Sequence, residues 1–368
     1  MNRKARFVVV GGFLGAGKTT ALLRLARMCT ERGEKVGLLT NDQAANLVDT
    51  GTLRVRGFRV EEVAGACFCC KFDDLARSAE RIRQEELPDV LLGEPVGSCT
   101  DLVATVVQPM SKFYGDRYAV APYSVLVDPA RARSIVVEKG FGGFSRKVAY
   151  IFLKQLEEAD VICLNKVDAI DDVPRGEIRA AIAREFPRAR VIPTSGRTGE
   201  GFEEWLGVLE GGGRAGAHVA DVDYDDYAEG EAELGWLNAS VRIRSTRPFD
   251  ADRLVEDLVA SIADAVRARR AEAAHVKVLL QTANGVSVAN FVGAGAAVNV
   301  SHALRGRVAE GRLVVNARVH LDPDELRSVV DSSLASVLEA HEATGETEEE
   351  THFRPGRPVP THRFSAAR

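Results

Sequence analysis

The chain has 368 residues, a formal net charge of −5 and a hydrophobic share of 45%, which is length enough for two domains with a core in each. The acidic balance excludes the basic footprint of a nucleic-acid partner, and no apolar run approaches the roughly eighteen residues of a membrane span. Met1–Arg6 leads straight into an apolar stretch, so no secretory leader is expected and the expected compartment is the cytoplasm.

Phe7–Val10 reads as a buried parallel strand. Directly after it, Gly12-Phe13-Leu14-Gly15-Ala16-Gly17-Lys18-Thr19-Thr20 fits G-x-x-x-x-G-K-[ST], in the strand-to-helix setting that this phosphate loop requires. The helix is expected over Thr20–Arg27. Glycines let the backbone of Gly12, Gly15, Ala16 and Gly17 turn its N–H groups toward a polyphosphate, and the helix N-terminus from Thr20 adds partial positive charge. Lys18 would reach the β- and γ-phosphates, and the Thr19 hydroxyl would bind Mg²⁺.

Lys35–Thr40 is the second expected strand, and a strand-like or irregular excursion over Leu53–Val63 delivers the chain to Cys67-Phe68-Cys69-Cys70. A helix is expected over Phe72–Leu87, then a strand at Val90–Leu92 ending at Gly93-Glu94-Pro95-Val96-Gly97, with a helix from about Thr100. Further strands are read at Ser124–Val127, Val161–Leu164 and Arg190–Pro193, with helices at Arg146–Glu158 and Gly176–Glu185. This alternation predicts a doubly wound, mainly parallel α/β sheet with its ligand at the strand C-termini.

From Glu210 the composition changes. Residues 211–235 hold Gly211-Gly212-Gly213 and an acidic run over Asp221–Glu233 without Lys or Arg, and read as a linker. Residues 236–342 show strands and two amphipathic stripes, Leu254–Val266 and Leu326–Leu338, the pattern of a smaller α+β domain whose sheet is covered on one face by two helices. The tail 343–368, with its Glu and Pro residues, is expected to be mobile or extended.

Asn165-Lys166-Val167-Asp168 closes the strand at Val161–Leu164. A carboxylate there can accept from both N1–H and the exocyclic amine of guanine, a paired contact that adenine lacks. Lys166 would cover the base, Asn165 would brace the loop, and Thr194-Ser195-Gly196 could offer backbone contacts to the guanine oxygen. Three thiols within four residues, Cys67, Cys69 and Cys70, can surround one ion such as Zn²⁺, Co²⁺ or Cu⁺, against a redox dithiol or buried structural thiols. Cys99 could add a fourth sulfur, although its place at a helix start favours a packed thiol. Glu94 is placed to bind Mg²⁺ or sense the γ-phosphate; Asp42 and Asp49 are the other strand-end carboxylates. The seven histidines are scattered, with His218 and His275 the two to test.

P-loop, C-x-C-C, E-x-x-G and N-K-x-D in this order resemble the CobW-like P-loop GTPases, relatives of the UreG and HypB metal-centre accessory proteins. The resemblance covers about residues 5–210 and, more loosely, 235–340. It implies Mg²⁺-dependent hydrolysis of GTP to GDP, coupled to binding zinc or cobalt and delivering it to a client metalloenzyme or metal-centre assembly protein. It assigns phosphate contacts to Gly15, Gly17, Lys18 and Thr19, Mg²⁺ to Thr19 and Glu94, guanine to Asn165, Lys166 and Asp168, and metal to Cys67, Cys69 and Cys70. Lys18, Thr19, Glu94 and Asp49 are then the catalytic candidates, with slow intrinsic turnover because no general base is evident. Two features depart from the family pattern: Asn41-Asp42-Gln43-Ala44 stands where many members have Asn-Glu-x-Gly, and no His-rich loop is present. The competing reading is a GTP-switched metal sensor without transfer, and the C-terminal domain would dock either a client or a second protomer in a homodimer.

Overall fold

The computed structural model describes residues 4–42, 48, 53, 58–213, 215–293 and 297–365. Two compact units share the chain: Met1–Gln43, Phe58–Gly230 and Arg357–Arg368 form the first, Ala44–Gly57 and Glu231–Gly356 the second.

In the first unit β1 (Ala5–Gly11), β2 (Val36–Asp42), β3 (Arg59–Ala64), β4 (Val90–Glu94), β5 (Tyr118–Val120), β6 (Ser124–Val127), β7 (Val161–Leu164) and β8 (Arg190–Pro193) build one sheet. Its order is β3-β2-β4-β1-β6-β7-β8, with β5 also on β1, and every pairing is parallel. A sheet packed on both faces needs strands that are apolar throughout, and β4, β6 and β7 are buried at every position. β1 lies between β4 and β6, so the connections leave it in opposite directions, and a crevice opens at the C-terminal ends of the strands. The phosphate loop follows β1 at that point. The helix expected from Gly176 begins earlier, at Asp172, because Pro174 falls in the first turn, where its missing N–H has no intrahelical acceptor to lose.

The second unit is a six-stranded sheet of β9 (Gly235–Asp250), β10 (Ala273–Thr282), β11 (Gly285–Phe291), β12 (Asn299–His302), β13 (Arg307–Val319) and β14 (Ala343–Phe353), ordered β12-β11-β10-β13-β9-β14. Its pairings are antiparallel. One face packs its alternate residues, Val276, Val278 and Leu280 among them, against the stripes of helices Ala251–Ala268 and Pro323–Ala340. The opposite face carries Leu279, Val286, Val288 and Val314, which cluster with Val48. The Val48 amide also donates to the Asn316 side-chain oxygen at 3.0 Å.

Two segments carry regular structure that the sequence reading did not specify. The stretch read as a linker contains the helix Tyr224–Ala232. Its aromatic residues explain this: Tyr227 is buried, and the Tyr224 hydroxyl donates to Asp101 at 2.7 Å. The tail read as mobile or extended begins with β14, an edge strand on β9. Its acidic residues look solvated along the sequence, but Glu348 pairs with Arg242 on β9 and Arg312 on β13, and Glu350 with Arg327 on the helix Pro323–Ala340, so ion pairs within the sheet and to that helix offset the like charges.

Candidate nucleotide and metal site

Backbone geometry at the phosphate loop leaves no alternative to glycine at two positions. Gly12 has φ +129°, and a Cβ there would lie 2.3 Å from the Leu126 carbonyl oxygen; Gly17 has φ +93°, and its Cβ would lie 2.6 Å from Asn165 Nδ2. Gly17 caps the helix Lys18–Glu31 in the left-handed region, while Ala16 is buried. Lys18 is buried and donates from Nζ to the Gly12 carbonyl at 2.9 Å. Thr20 is exposed, close to where a side chain on Gly196 would begin.

Thr19 Oγ1 donates to Glu94 Oε1 at 3.0 Å, joining the helix start to the end of β4. A hydroxyl and a carboxylate side by side are hard oxygen donors of the kind Mg²⁺ takes. Gly97, on the loop beyond β4, packs so tightly that a Cβ would lie 2.7 Å from Leu14 and 2.9 Å from Lys18 Nζ.

The Asn165–Asp168 loop is stitched to the phosphate loop. Asn165 Nδ2 donates to the Ala16 carbonyl at 2.9 Å, and Lys166 Nζ donates to the Gly15 carbonyl at 2.8 Å. Lys166 adopts φ +57° and also pairs with Asp128 at 2.8 Å. Burial would raise the Asp128 carboxyl, but the adjacent Lys166 charge overcomes it, and the group lies below the usual carboxylate range. Asp168 accepts from the Ser195 hydroxyl at 2.6 Å and pairs with Arg197. Asn165 Oδ1 accepts from the Gly196 amide at 3.1 Å.

Cys67-Phe68-Cys69-Cys70 forms a turn in which the Cys70 and Lys71 amides both donate to the Cys67 carbonyl at 3.0 Å. Phe68 is the apolar anchor and is fully buried. The sulfurs converge: Cys67 Sγ lies 2.8 Å from Cys69 Sγ and 3.2 Å from Cys70 Sγ, with 3.8 Å between Cys69 and Cys70. The Cys99 sulfur joins Cys67 and Cys69, all three within 4.8 Å of one another and buried. Hydrogen bonds from the Cys69, Cys70 and Cys99 thiols pull Cys67 well below an ordinary thiol, while the same sharing pushes Cys69 up and Cys70 to about 11. The cluster thus concentrates thiolate character on one sulfur.

The nucleotide-binding domain of the CobW/HypB/UreG proteins matches residues 6–193, just over half of the 368-residue chain. The chain belongs to the CobW/HypB/UreG family. It is similar to a protein named zinc chaperone CobW from a Sinorhizobium species, 28% identical over 182 residues, covering 44% of this chain and 51% of that one. It is also similar to zinc chaperone YeiR of Escherichia coli K12, 28% identical over 163 residues, covering 44% and 46%. Among solved structures it is similar to the hydrogenase maturation factor HypB of Archaeoglobus fulgidus, 25% identical with a TM-score of 0.40, covering 56% of this chain and 89% of that one. The chain spans about half the length of the curated relatives it matches.

Within this CobW/HypB/UreG domain, Asp49 lies outside the described residues and Asp42 is described only through its backbone. Cys99 meets both of its sequence readings: it is buried, as expected of a packed thiol, and its sulfur faces those of Cys67 and Cys69. Sequence reasoning missed Asn41. Its amide nitrogen donates to the Val63 and Ala66 carbonyls, each at 2.8 Å, and its oxygen accepts from the Phe68 amide at 2.7 Å. One buried side chain therefore ties the end of β2 to the cysteine turn. The signal was its place beside Asp42 in the segment that departs from the family pattern. Asp128, at the end of β6, was visible only as a strand terminus. Among the described residues, no helix is long and apolar enough to cross a membrane.

Proposed function

We propose that the protein is a GTP-hydrolysing metallochaperone of the cytoplasm, which binds zinc or cobalt through Cys67, Cys69 and Cys70 and delivers it to a client protein. The observation that carries this reading is the convergence of three sulfurs, 2.8–3.8 Å apart, on a turn that Asn41 holds to the end of a nucleotide-domain strand. Sulfur donors suit a borderline or soft ion, and the names of the curated relatives, zinc chaperones, support zinc.

Gly12–Thr20 bind the phosphates of GTP or GDP, and Asp168 selects guanine, exchanging its bonds to Ser195 and Arg197 for the base. Thr19 and Glu94 hold Mg²⁺, which neutralises charge on the β- and γ-phosphates. Lys18 gives up its bond to the Gly12 carbonyl and turns its ammonium to the phosphates. Intrinsic hydrolysis is slow, because a water-positioning group has to be completed by a partner or by the cargo.

The test is metal stoichiometry and affinity in the apo, GDP-bound and GTP-analogue-bound protein, followed by transfer to a metal-free client. One zinc per chain, with an affinity that changes between nucleotide states, is the expected result. An affinity indifferent to nucleotide would sink the coupled mechanism, and client binding without transfer would make the protein a sensor.

A further inference from the structure

Cys67, Cys69 and Cys70 share one turn, closed by two amides on a single carbonyl. They move together, so rearranging that turn as a body leaves their mutual geometry unchanged. Cys99 is different. It sits on the loop after β4, five positions beyond Glu94 and two beyond Gly97, and its sulfur lies within 4.8 Å of those of Cys67 and Cys69. Gln155 pins this loop by donating to the Gly97 carbonyl at 3.0 Å and the Cys99 carbonyl at 2.8 Å. The same loop touches the phosphate-binding machinery at both ends: Glu94 accepts from Thr19, and Gly97 packs against Lys18.

From this juxtaposition we infer that Cys99 is a fourth metal ligand and the one whose position follows the nucleotide. The inference rests on the metallochaperone reading above. A tetrahedral zinc with Zn–S bonds of about 2.3 Å needs sulfurs about 3.8 Å apart. Cys69–Cys70 is already at 3.8 Å, Cys67–Cys70 is at 3.2 Å, and Cys99 lies within 4.8 Å of Cys67 and Cys69. The Cys67, Cys69 and Cys99 sulfurs therefore need shifts of about 1 Å or less to share one ion, and Cys70, already beside Cys67 and Cys69, completes the set. Each thiol that binds loses its proton to solvent. When Lys18 and Gly97 rearrange around a γ-phosphate, the loop carries Cys99 relative to the fixed turn. The ion then passes between a four-thiolate grip and a three-thiolate grip with an open position, the form from which a client's ligand can take it.

The experiment titrates Co²⁺, then competing Zn²⁺, into full-length wild type and Cys99→Ser, each with GDP and with a non-hydrolysable GTP analogue. Cys29→Ser, which alters a buried thiol outside the cluster, is the control for folding. Wild type is expected to show tetrahedral thiolate–cobalt absorption whose affinity differs at least tenfold between nucleotides. In Cys99→Ser the sulfur-to-cobalt band should lose about a quarter of its intensity, with binding retained and equal in both nucleotide states. If Cys99→Ser keeps the full band and the full nucleotide dependence, the Cys99 assignment is overturned while the chaperone reading stands. If wild type binds neither ion at the cysteines, the chaperone reading itself falls.

Discussion

The Thr361 amide donates to the Cys69 carbonyl at 2.9 Å, and the Thr361 hydroxyl donates to the Cys70 carbonyl at 3.0 Å. A residue near the end of the chain thus holds the backbone of the cysteine turn. Around it, the His362 ring lies 5.3 Å from that of Phe72 and 5.0 Å from that of Phe113, Arg363 pairs with buried Asp101 at 2.7 Å, and the Phe364 amide donates to Ala104. Ending the chain after Gly356 should leave both units folded and free the turn. The thiols should then react with an aromatic disulfide reagent at least tenfold faster, and Thr361→Pro, which removes the amide donor, should give part of that increase. Unchanged rates would mean that the strap does not restrain the turn.

Substituting Gly12 tests the phosphate loop. Gly12→Ala places a Cβ 2.3 Å from the Leu126 carbonyl at φ +129°. Strain of this kind is on the order of 1–3 kcal/mol. The urea midpoint should fall accordingly and nucleotide binding should be lost, measured by equilibrium denaturation and by fluorescence with a labelled nucleotide.

Asp168→Asn should weaken guanine nucleotides on the order of 100-fold, since hydrogen bonds to a charged group contribute about 1.5–3 kcal/mol. The new amide offers a donor where the carboxylate accepted, so xanthine nucleotides, with a carbonyl at the corresponding position, should bind better to the variant than to wild type. Competition binding with both bases decides it; an unchanged preference would remove Asp168 from base recognition.

Glu158 gives a pH prediction with a definite sign. Its carboxyl is buried and accepts from the Val103 amide at 2.9 Å. Burial first, and the neighbouring Asp101 charge as well, raise it from 4.5 to about 8. Between those two values the native chain keeps a proton that the unfolded chain releases, so this group's contribution falls as pH rises through the window. Glu158→Gln removes the titration. The stability difference, variant minus wild type, should therefore grow by roughly 3–5 kcal/mol from pH 4.5 to pH 8, read from guanidinium midpoints. A difference independent of pH would rule out the raised carboxyl.

What the sequence made legible is what local spacing encodes. The phosphate loop, Asn165–Asp168 and the alternation of strand and helix are contiguous signals, and each sits where its spacing put it. The cysteine turn was legible as a motif, whereas Cys99 was legible only as the less favoured of two alternatives, because its approach depends on how the loop after β4 folds back beside a turn some thirty residues earlier in the chain. The pairing of the extended acidic segment as β14 was not legible for a related reason: Arg242, Arg312 and Arg327, which pair with it, lie outside the segment. The place of Asn41 beside Asp42 marks the segment but not its role, since its three backbone partners are fixed only once β2 and β3 are paired.

The division of the chain into interleaved units sets an order on its synthesis. Residues 357–364, which strap the cysteine turn, belong to the first unit but follow the 126 residues from Glu231 to Gly356 that belong to the second. A ribosome adding roughly 5–20 residues per second takes roughly 6–25 s to make that insertion. Throughout that interval the nucleotide domain has its cysteines but lacks their strap. An ion captured by the nascent chain therefore meets a turn whose Cys69 and Cys70 carbonyls Thr361 does not yet hold, whereas one captured by the finished protein meets the strapped turn.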